Sequence, residues 1–268
     1  MVSVWSIVFM VISLLVSIIL SFGIFLFLRK RIDLKVVPAL VGAAAFIVFA
    51  MVLEQLLHML VLKRAPDGSL TLMKTPALYV LYGAFAAGIF EETGRFLGFL
   101  LLKRKYKGFN TAISYGIGHG GIEALLVLGL TMVSTIVISV MVNTGMANVL
   151  GDTPQITAAV EQITGAAPWM FALGGLERVF AIAIHISLSV IVWHSVNTKG
   201  KVWMYPLAIV LHAAVDVVAA MGQVGVIKNV ILVEAILLPT TAALVLFTIW
   251  IHRKLIIKSQ DFIGNFIE

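Results

Sequence analysis

The sequence predicts an all-α, polytopic membrane protein built as a helical bundle. Of its 268 residues, 61% are hydrophobic and only 12% are charged, and the mean hydropathy is +1.08. This composition excludes a soluble globular domain. The apolar residues also form runs long enough to cross a hydrocarbon layer about 30 Å thick. We therefore expect a single integral membrane domain that spans residues 1–268.

Seven apolar runs, each ending at charges, glycine or proline, are predicted to be membrane spans. They cover about 4–28, 36–62, 77–102, 109–142, 169–196, 202–221 and 229–252. The fourth run is too long for one straight crossing, so we expect it to tilt, to protrude or to break near Gly129. A short helix is predicted at 156–163, in the long connection between the fourth and fifth runs.

The basic residues between the runs predict the orientation in the membrane. Of the 19 lysine and arginine residues, 13 lie in the segments 29–35, 103–107, 199–201 and 253–258. Cytoplasmic connections carry such an excess, so the N-terminus is predicted outside and the C-terminus inside. These loops also account for the net charge of +6, and no nucleic-acid partner is expected. The apolar start lacks a basic segment and a cleavage site, which predicts a retained span in the plasma membrane of a bacterium.

Charged residues inside the third run are the first indication of a functional site. Glu91, Glu92 and Arg95 lie within this run, and a charge near the bilayer centre costs at least ~2.5 kcal/mol. Such groups are therefore expected either to serve a function or to belong to a tightly paired network.

Four ionisable residues lie at one predicted depth. Counted from the cytoplasmic ends of their spans at ~1.5 Å per residue, Glu91, His119, His185 and His212 are all about 15–17 Å deep. They belong to spans three to six, about residues 77–221. We expect these spans to surround a polar cavity that opens toward the cytoplasm.

Each of three of these residues has a polar companion four positions along the chain, and so on the same helix face. The pairs are Glu91 with Arg95, His119 with Glu123, and His212 with Asp216. A second polar layer is predicted nearer the outer side, chiefly as structural ion pairing around Arg178; its members are Glu54, His58, Glu177, Arg178 and Glu234. The remaining histidines, His194 and His252, are predicted to be interfacial and structural.

The residue types in the deeper layer suit hydrolytic chemistry. The chain contains no cysteine, and histidine with carboxylate suits Zn²⁺, which activates water at neutral pH. The predicted ligands are His119, His185, His212 and one glutamate, assigned to Glu92. Neighbours on a helix point ~100° apart, so only one of Glu91 and Glu92 can face the site. A metal-free route is also open, in which glutamate and histidine activate water while His212 and Asp216 stabilise the oxyanion.

Four motifs in order resemble the YhfC family of intramembrane metalloproteases. They are Glu-Glu-x-x-Arg at 91–95, Gly-Ile-Gly-His-Gly-Gly-Ile-Glu at 116–123, Glu-Arg followed by His at 177–185, and His-x-x-x-Asp at 212–216. More distantly, the set is similar to the CAAX-processing and bacteriocin-processing protease superfamily, including PrsW-type proteases. Tyr115 stands where that superfamily has phenylalanine, and Arg95 is one residue closer to the glutamates.

The resemblance implies an intramembrane metalloendopeptidase that cleaves a peptide or membrane-protein substrate within or beside the bilayer. It carries catalytic roles over to Glu91, Glu92, His119, His212 and Asp216, and likens Glu123, Arg178 and His185 to the PrsW-type pattern. We expect Arg95 to pair with the glutamate that does not face the site and to hold its charge. Two other classes remain open. A transporter or proton-coupled binding protein also places charges at the midplane, and a non-catalytic scaffold would use the polar layer only to fix helix packing.

Overall fold

The chain folds into a bundle of long helices. The computed structural model describes residues 1–65, 70–151 and 153–264, with side chains as far as residue 256. Within these ranges the α-helices are α1 Val4–Arg29, α2 Val36–Val61, α3 Pro76–Leu102, α4 Phe109–Asn143, α5 Pro154–Gly165, α6 Met170–Asn197, α7 Met204–Gln223 and α8 Val230–Gly264. The only β-pairing in the same ranges is an isolated bridge between Arg64 and Leu70. The predicted all-α class is therefore confirmed.

Most of the long helices are suited to cross a membrane. In the described part of the chain, six helices (α1, α2, α4, α6, α7 and α8) are long and apolar enough to do so. The protein is therefore a multi-pass membrane protein. The helix α3 has 27 residues, but Glu91, Glu92 and Arg95 make it less apolar than the others. Its place as a seventh span, like the orientation of the bundle, stays a prediction.

The long helix α4 is continuous but not uniform. Its 35 residues form one helix, in which the segment Ala124–Gly129 is wound as a π-helix. The helix is therefore not broken near Gly129, where the π-helical segment ends; tilting and protrusion stay predictions. The segment Ile47–Glu54 of α2 is also a π-helix. Wide turns of this kind rotate the helix face that follows them and often occur near functional sites. The first segment directly follows the half-buried Glu123, and the second ends at the buried Glu54.

Glycines in α4 and α3 bring the helices around the site into close contact. A Cβ atom at Gly118 would lie 2.0 Å from the carbonyl oxygen of Ala39 in α2, and one at Gly116 would lie 2.6 Å from the Cα atom of Ile186 in α6. A Cβ atom at Gly88 of α3 would lie 2.9 Å from a backbone oxygen of α7. No side chain fits at these contacts, so the helices approach almost backbone to backbone.

The helix α6 lies at the centre of the bundle. In its most apolar stretch, 67% of the residues are buried, whereas the other spanning helices have 17–33% buried. Its Leu188, Ile191 and Val192 belong to the largest apolar cluster of the described residues, together with side chains of α3, α4, α7 and α8. The polar groups that α6 carries are therefore surrounded by protein.

The basic connections gather at one end of the bundle. The backbone N–H of Lys35 donates to Ser114 Oγ at 2.9 Å, and the ring of Phe109 stacks on His252 with centroids 3.8 Å apart. His194 Nε2 lies 2.9 Å from His252 Nδ1. The starts of α2 and α4, the end of α6 and the C-terminal half of α8 thus share one end, here named the basic end. The other end, where α2 and α7 finish and α3 begins, is named the opposite end.

Candidate functional site

Glu91 is the centre of a group of three histidines. Its Oε2 atom lies 2.9 Å from His119 Nε2, 3.8 Å from His185 Nδ1 and 4.0 Å from His212 Nε2. The four side chains come from α3, α4, α6 and α7, and each residue is at most 8% exposed. The four groups thus meet at one place, as their common predicted level requires, while their depth in a membrane stays a prediction.

Glu92 turns away from that centre into a fully buried ion pair. Its Oε1 atom accepts a hydrogen bond from Arg95 Nη1 and lies 2.7 Å from His212 Nδ1. Glu92 and Arg95 are both 0% exposed. Of the two glutamates between which the sequence left the choice open, Glu92 is therefore the partner of Arg95, since its three-residue spacing also lies on one helix face and α7 stands on that side. Glu91, not Glu92, faces the histidines.

The ring of His185 is held from both sides. Arg95 Nη2 lies 3.0 Å from His185 Nδ1, and because arginine can only donate, Nδ1 accepts. In the neutral ring the proton is then on Nε2, which contacts Glu123 Oε2. Glu123 also pairs with Arg178, and Arg178 Nη2 lies 2.6 Å from Glu177 Oε1. This chain of contacts fixes the orientation of the His185 ring.

Two of the predicted companion contacts have different outcomes. His212 Nε2 lies 3.3 Å from Asp216 Oδ2, as predicted. Glu123, however, contacts His185 and Arg178 and not His119, because α6 supplies a closer histidine and a cation. His212 is flanked by carboxylates on both ring nitrogens, so a singly protonated ring donates to one of them and a doubly protonated ring to both.

The predicted second layer is joined to the site by Arg178. Its predicted ion pairing is seen with Glu177, but its second partner, Glu123, belongs to the site. The depth count assigned Arg178 to a separate structural layer and missed this link, whereas the resemblance grouped Arg178 with Glu123 and His185. A signal was available: Arg178 and His185 are seven residues apart, which places them on one face of α6. The other contacts of the layer form their own group, in which His58 lies 3.3 Å from Glu54 and 2.7 Å from the Tyr82 hydroxyl.

Aromatic rings enclose His119. The ring of Phe46 meets it edge-on with centroids 5.3 Å apart, and the ring of Tyr115 lies nearly parallel at 6.1 Å. The hydroxyl of Tyr115 donates to the carbonyl oxygen of Gly94 at 3.3 Å. His119 Nδ1 is buried and has no hydrogen-bond partner among the described residues. Of the two ring nitrogens of His119, Nε2 is therefore the one with a partner among the described residues, Glu91.

Glu91, His119 and His185 fit a metal ion. Each offers one ligand atom, and these atoms lie within 4.8 Å of one another. Two histidines and a carboxylate are a known donor set for catalytic metals, which keep a position for water. Glu123 behind His185 matches the outer carboxylate that commonly orients a metal-bound histidine. A cation on His185 Nδ1 would replace the hydrogen bond from Arg95.

The ligand set predicted from the sequence needs correction. Glu92 is paired with Arg95 and contacts only His212 of the three histidines, so Glu91 takes its place as the candidate ligand. His212 is not among the candidate ligands, because its two ring nitrogens face Glu92 and Asp216. His119 and His185 keep their predicted positions as candidate ligands.

A polar cavity reaches the site from the opposite end of the bundle. A cavity of about 140 Å³ is lined by Glu91, His212 and Asp216, among other residues. A second cavity, of about 320 Å³, shares Asp216 with it and extends to His58 and Gln223, near the ends of α2 and α7. The sequence predicts a cavity that opens toward the cytoplasm, which is the side of the basic end in the predicted orientation. The observed cavity instead leads away from the basic end.

Aromatic packing accounts for the closed basic side. The rings of Phe96 and Tyr205 stack with centroids 4.7 Å apart, and the Tyr205 hydroxyl lies 2.7 Å from Thr93 Oγ1. The rings of Phe99 and Tyr115 lie 4.6 Å apart. These side chains lie between the basic end and Glu91 with its three histidines. Depth along a span does not reveal which end is filled in this way.

The fold and the site together define a multi-pass membrane protein with a buried glutamate–histidine group that fits a metal. The chain belongs to the family described as YhfC intramembrane metalloprotease, whose sequence model matches residues 14–237. It is 33% identical over 240 residues to a protein of Bacillus subtilis (strain 168) named "Uncharacterized membrane protein YhfC". The aligned residues make up 88% of this chain and 92% of that protein. No solved structure matches the chain. The family resemblance is confirmed, and the wider superfamily placement stays a prediction.

Proposed function

We propose that this protein hydrolyses peptide bonds in membrane-embedded or membrane-proximal segments of other proteins. The proposal rests on the surroundings of the Glu91 carboxylate. Three histidine nitrogens lie 2.9–4.0 Å from its Oε2 atom, and a polar cavity lies beside it. A carboxylate with a histidine beside it can take a proton from water and return it to a leaving amine. The family description points to the same chemistry.

The residues divide into three roles in this proposal. Glu91 and His119, in contact at 2.9 Å, hold and move the proton of the attacking water. His212 lines the cavity; Glu92 holds its ring through Nδ1, and the Nε2–H turns from Asp216 to the oxygen on which negative charge develops. Because the site is shielded from bulk water, these contacts act in a low dielectric and are stronger than they would be in solution.

A metal ion would be held by Glu91, His119 and His185. Zn²⁺ suits this set, and when bound it supplies hydroxide near neutral pH. Glu123, fixed by Arg178, would keep the His185 ring in place. The metal-free route uses the same glutamate and histidine without the ion. The two routes therefore differ in whether the active protein must contain a metal.

Protein N-termini in cells provide the test of proteolysis. We compare membranes that contain the wild type, Glu91→Gln or Glu161→Gln by mass spectrometry of N-termini. Glu161 is exposed on α5, away from the site, and serves as the control. New N-termini within or beside membrane segments should occur with the wild type and Glu161→Gln and disappear with Glu91→Gln. Equal sets of N-termini for all three proteins would overturn the proposal.

Elemental analysis of purified protein separates the two routes. One metal per chain is expected in the wild type and in His194→Ala, which removes a buried histidine at the basic end. His119→Ala and His185→Ala should each lose the metal. A wild type that cleaves its substrate after complete metal removal would exclude the metal route and leave the glutamate–histidine route.

The side from which substrate arrives follows from the cavity. If the bundle has the orientation that its basic residues predict, the opposite end faces outward and substrate enters from outside the cell. Because the chain has no cysteine, single cysteines can report access. Ala219 lines both cavities. Glu161 lies in the connection between α4 and α6, at the opposite end, and Lys199 lies in a connection at the basic end.

A membrane-impermeant maleimide applied to intact cells should label Glu161→Cys and Ala219→Cys, but label Lys199→Cys only after permeabilisation. If Ala219→Cys behaves like Lys199→Cys, the cavity opens at the basic end and the proposed entry side is wrong. If Glu161→Cys and Lys199→Cys exchange their behaviour, the predicted orientation is wrong, and Ala219→Cys should still follow Glu161→Cys.

A further inference from the structure

A groove at the basic end has features that the proposed proteolysis does not use. It lies between the start of α7 and the C-terminal half of α8 and has a volume of about 460 Å³. Lys201 and Trp203 border it on one side, and Trp250 and Lys254 on the other. The site around Glu91 has none of these residues in its cavities. The groove is therefore a separate feature of the bundle.

Two lysines at the groove hold positive charge above aromatic rings. Lys254 Nζ lies 4.7 Å from the centre of the Trp250 ring, and Lys201 Nζ lies 5.9 Å from that of Trp203. Within the described ranges, neither lysine pairs with a carboxylate and no residue lining the groove is acidic. An ammonium over an aromatic face still has donors free for an anion. The groove therefore attracts negative charge.

The remainder of the groove is apolar and faces the lipid region. Met204 and Ile251 are buried beneath it, and Phe247 also lines it. Trp203 and Trp250 are 48% and 55% exposed, as is common for tryptophans at a membrane–water interface. A free phosphate would leave this apolar surface uncovered. A molecule with an anionic head and a hydrocarbon chain would satisfy both parts.

We propose that this groove binds one anionic glycerophospholipid, with its phosphate between Lys201 and Lys254 and an acyl chain along the α7–α8 contact. Basic pockets between spanning helices on the cytoplasmic side are suited to such headgroups. The proposal does not depend on proteolysis. Its experimental control is Lys105, which also lies over an aromatic ring, that of Tyr106 at 5.8 Å, and belongs to the basic end but not to the groove.

Native mass spectrometry of the purified full chain measures lipid retention. Phosphatidylglycerol and phosphatidylcholine of equal chain length are added in equal amounts. We expect one phosphatidylglycerol to be retained preferentially, and the double variant Lys201→Gln/Lys254→Gln to bind it roughly tenfold more weakly. Lys105→Gln should bind as the wild type does. Equal retention of both lipids, or an equal loss in Lys105→Gln, overturns the proposal.

Two further measurements keep the result unambiguous. Glycerol phosphate added in excess should not displace the lipid; displacement would identify a site for a phosphate group alone and would contradict the proposed lipid. Thermal unfolding should be the same for the double variant and the wild type in phosphatidylcholine, because Lys254 is exposed, Lys201 is half-buried and neither has a carboxylate partner in the described structure. If the double variant unfolds at a lower temperature than the wild type, Lys201→Arg/Lys254→Arg is tested in addition. This variant keeps both charges and should retain phosphatidylglycerol as the wild type does.

Discussion

Two regions of this bundle bury histidines against aromatic rings, and they differ in their carboxylates. Around Glu91, three histidines from three helices converge on one carboxylate oxygen at 2.9–4.0 Å. At the basic end, His194 and His252 lie 2.9 Å apart and the ring of Phe109 stacks on His252. In that second region, no carboxylate of the described residues contacts either histidine. Burial and aromatic contact are thus common to both regions, and the carboxylates distinguish them.

The difference shows what the carboxylates contribute. In the first region, Glu91 is the proton acceptor of the proposed function, while Glu92, Glu123 and Asp216 contact the rings and balance Arg95 and Arg178. In the second region, each histidine satisfies the other, and His194 Nδ1 also contacts Thr198 Oγ1 at 3.1 Å. In the proposed function, a proton is transferred in the first region. The second region is interpreted as a packing contact. The predictions below test this contrast.

The largest effect is expected at Glu91. Glu91→Gln removes the proton acceptor and keeps the shape of the side chain, so cleavage should fall by about 10²–10⁴-fold. The measurement is the rate of product formation from a substrate identified by the N-terminus comparison. An unchanged rate would show that the first region is also a packing contact. A change in solute uptake by vesicles without any cleavage would support the transporter alternative.

Glu92 should affect stability more than Glu91 does. Glu92→Ala leaves Arg95 as an unpaired buried charge, and the expected loss is about 3–5 kcal/mol in the free energy of unfolding. Glu91→Gln should lose much less. Chemical unfolding in detergent measures both. Replacing Glu92 and Arg95 together by leucine should recover much of the loss, because no charge is then left alone; a double variant as unstable as Glu92→Ala would argue against the ion pair.

The close helix contact next to His119 should contribute an intermediate amount. A methyl group at Gly118 would meet the backbone of Ala39 at 2.0 Å, so Gly118→Ala should destabilise the fold by about 1–3 kcal/mol. Gly83 of α3 is the matched control, since no atom lies within 4 Å of a Cβ there. Gly83→Ala should be neutral or gain up to about 1 kcal/mol. Similar losses in both variants would mean that the contact at Gly118 is not the cause.

The smallest effect is expected at the basic end. His194→Gln weakens the contact with His252 and should reduce the free energy of unfolding by about 1 kcal/mol. Cleavage and metal content should stay at the wild-type level. Loss of either in a variant that remains folded would remove the distinction between the two histidine regions.

Part of the site could be predicted because depth follows from position along a helix. The rise of ~1.5 Å per residue placed Glu91, His119, His185 and His212 at one level without any knowledge of packing. The pairing of each group could not be obtained in this way. Glu123 has the spacing to meet His119, yet it meets His185 and Arg178, because partner choice depends on which side chains the neighbouring helices present.

The sequence by itself determined the bundle of long apolar helices, the level of the polar groups and the family. These depend on composition, on the order of residues and on the fixed rise of a helix. Only the tertiary structure decided that Glu91 faces the histidines while Glu92 pairs with Arg95, and that the cavity leads to the opposite end. Those outcomes depend on the rotation of each helix about its axis and on the aromatic rings that fill the basic side, and close glycine contacts and neighbouring helices fix both.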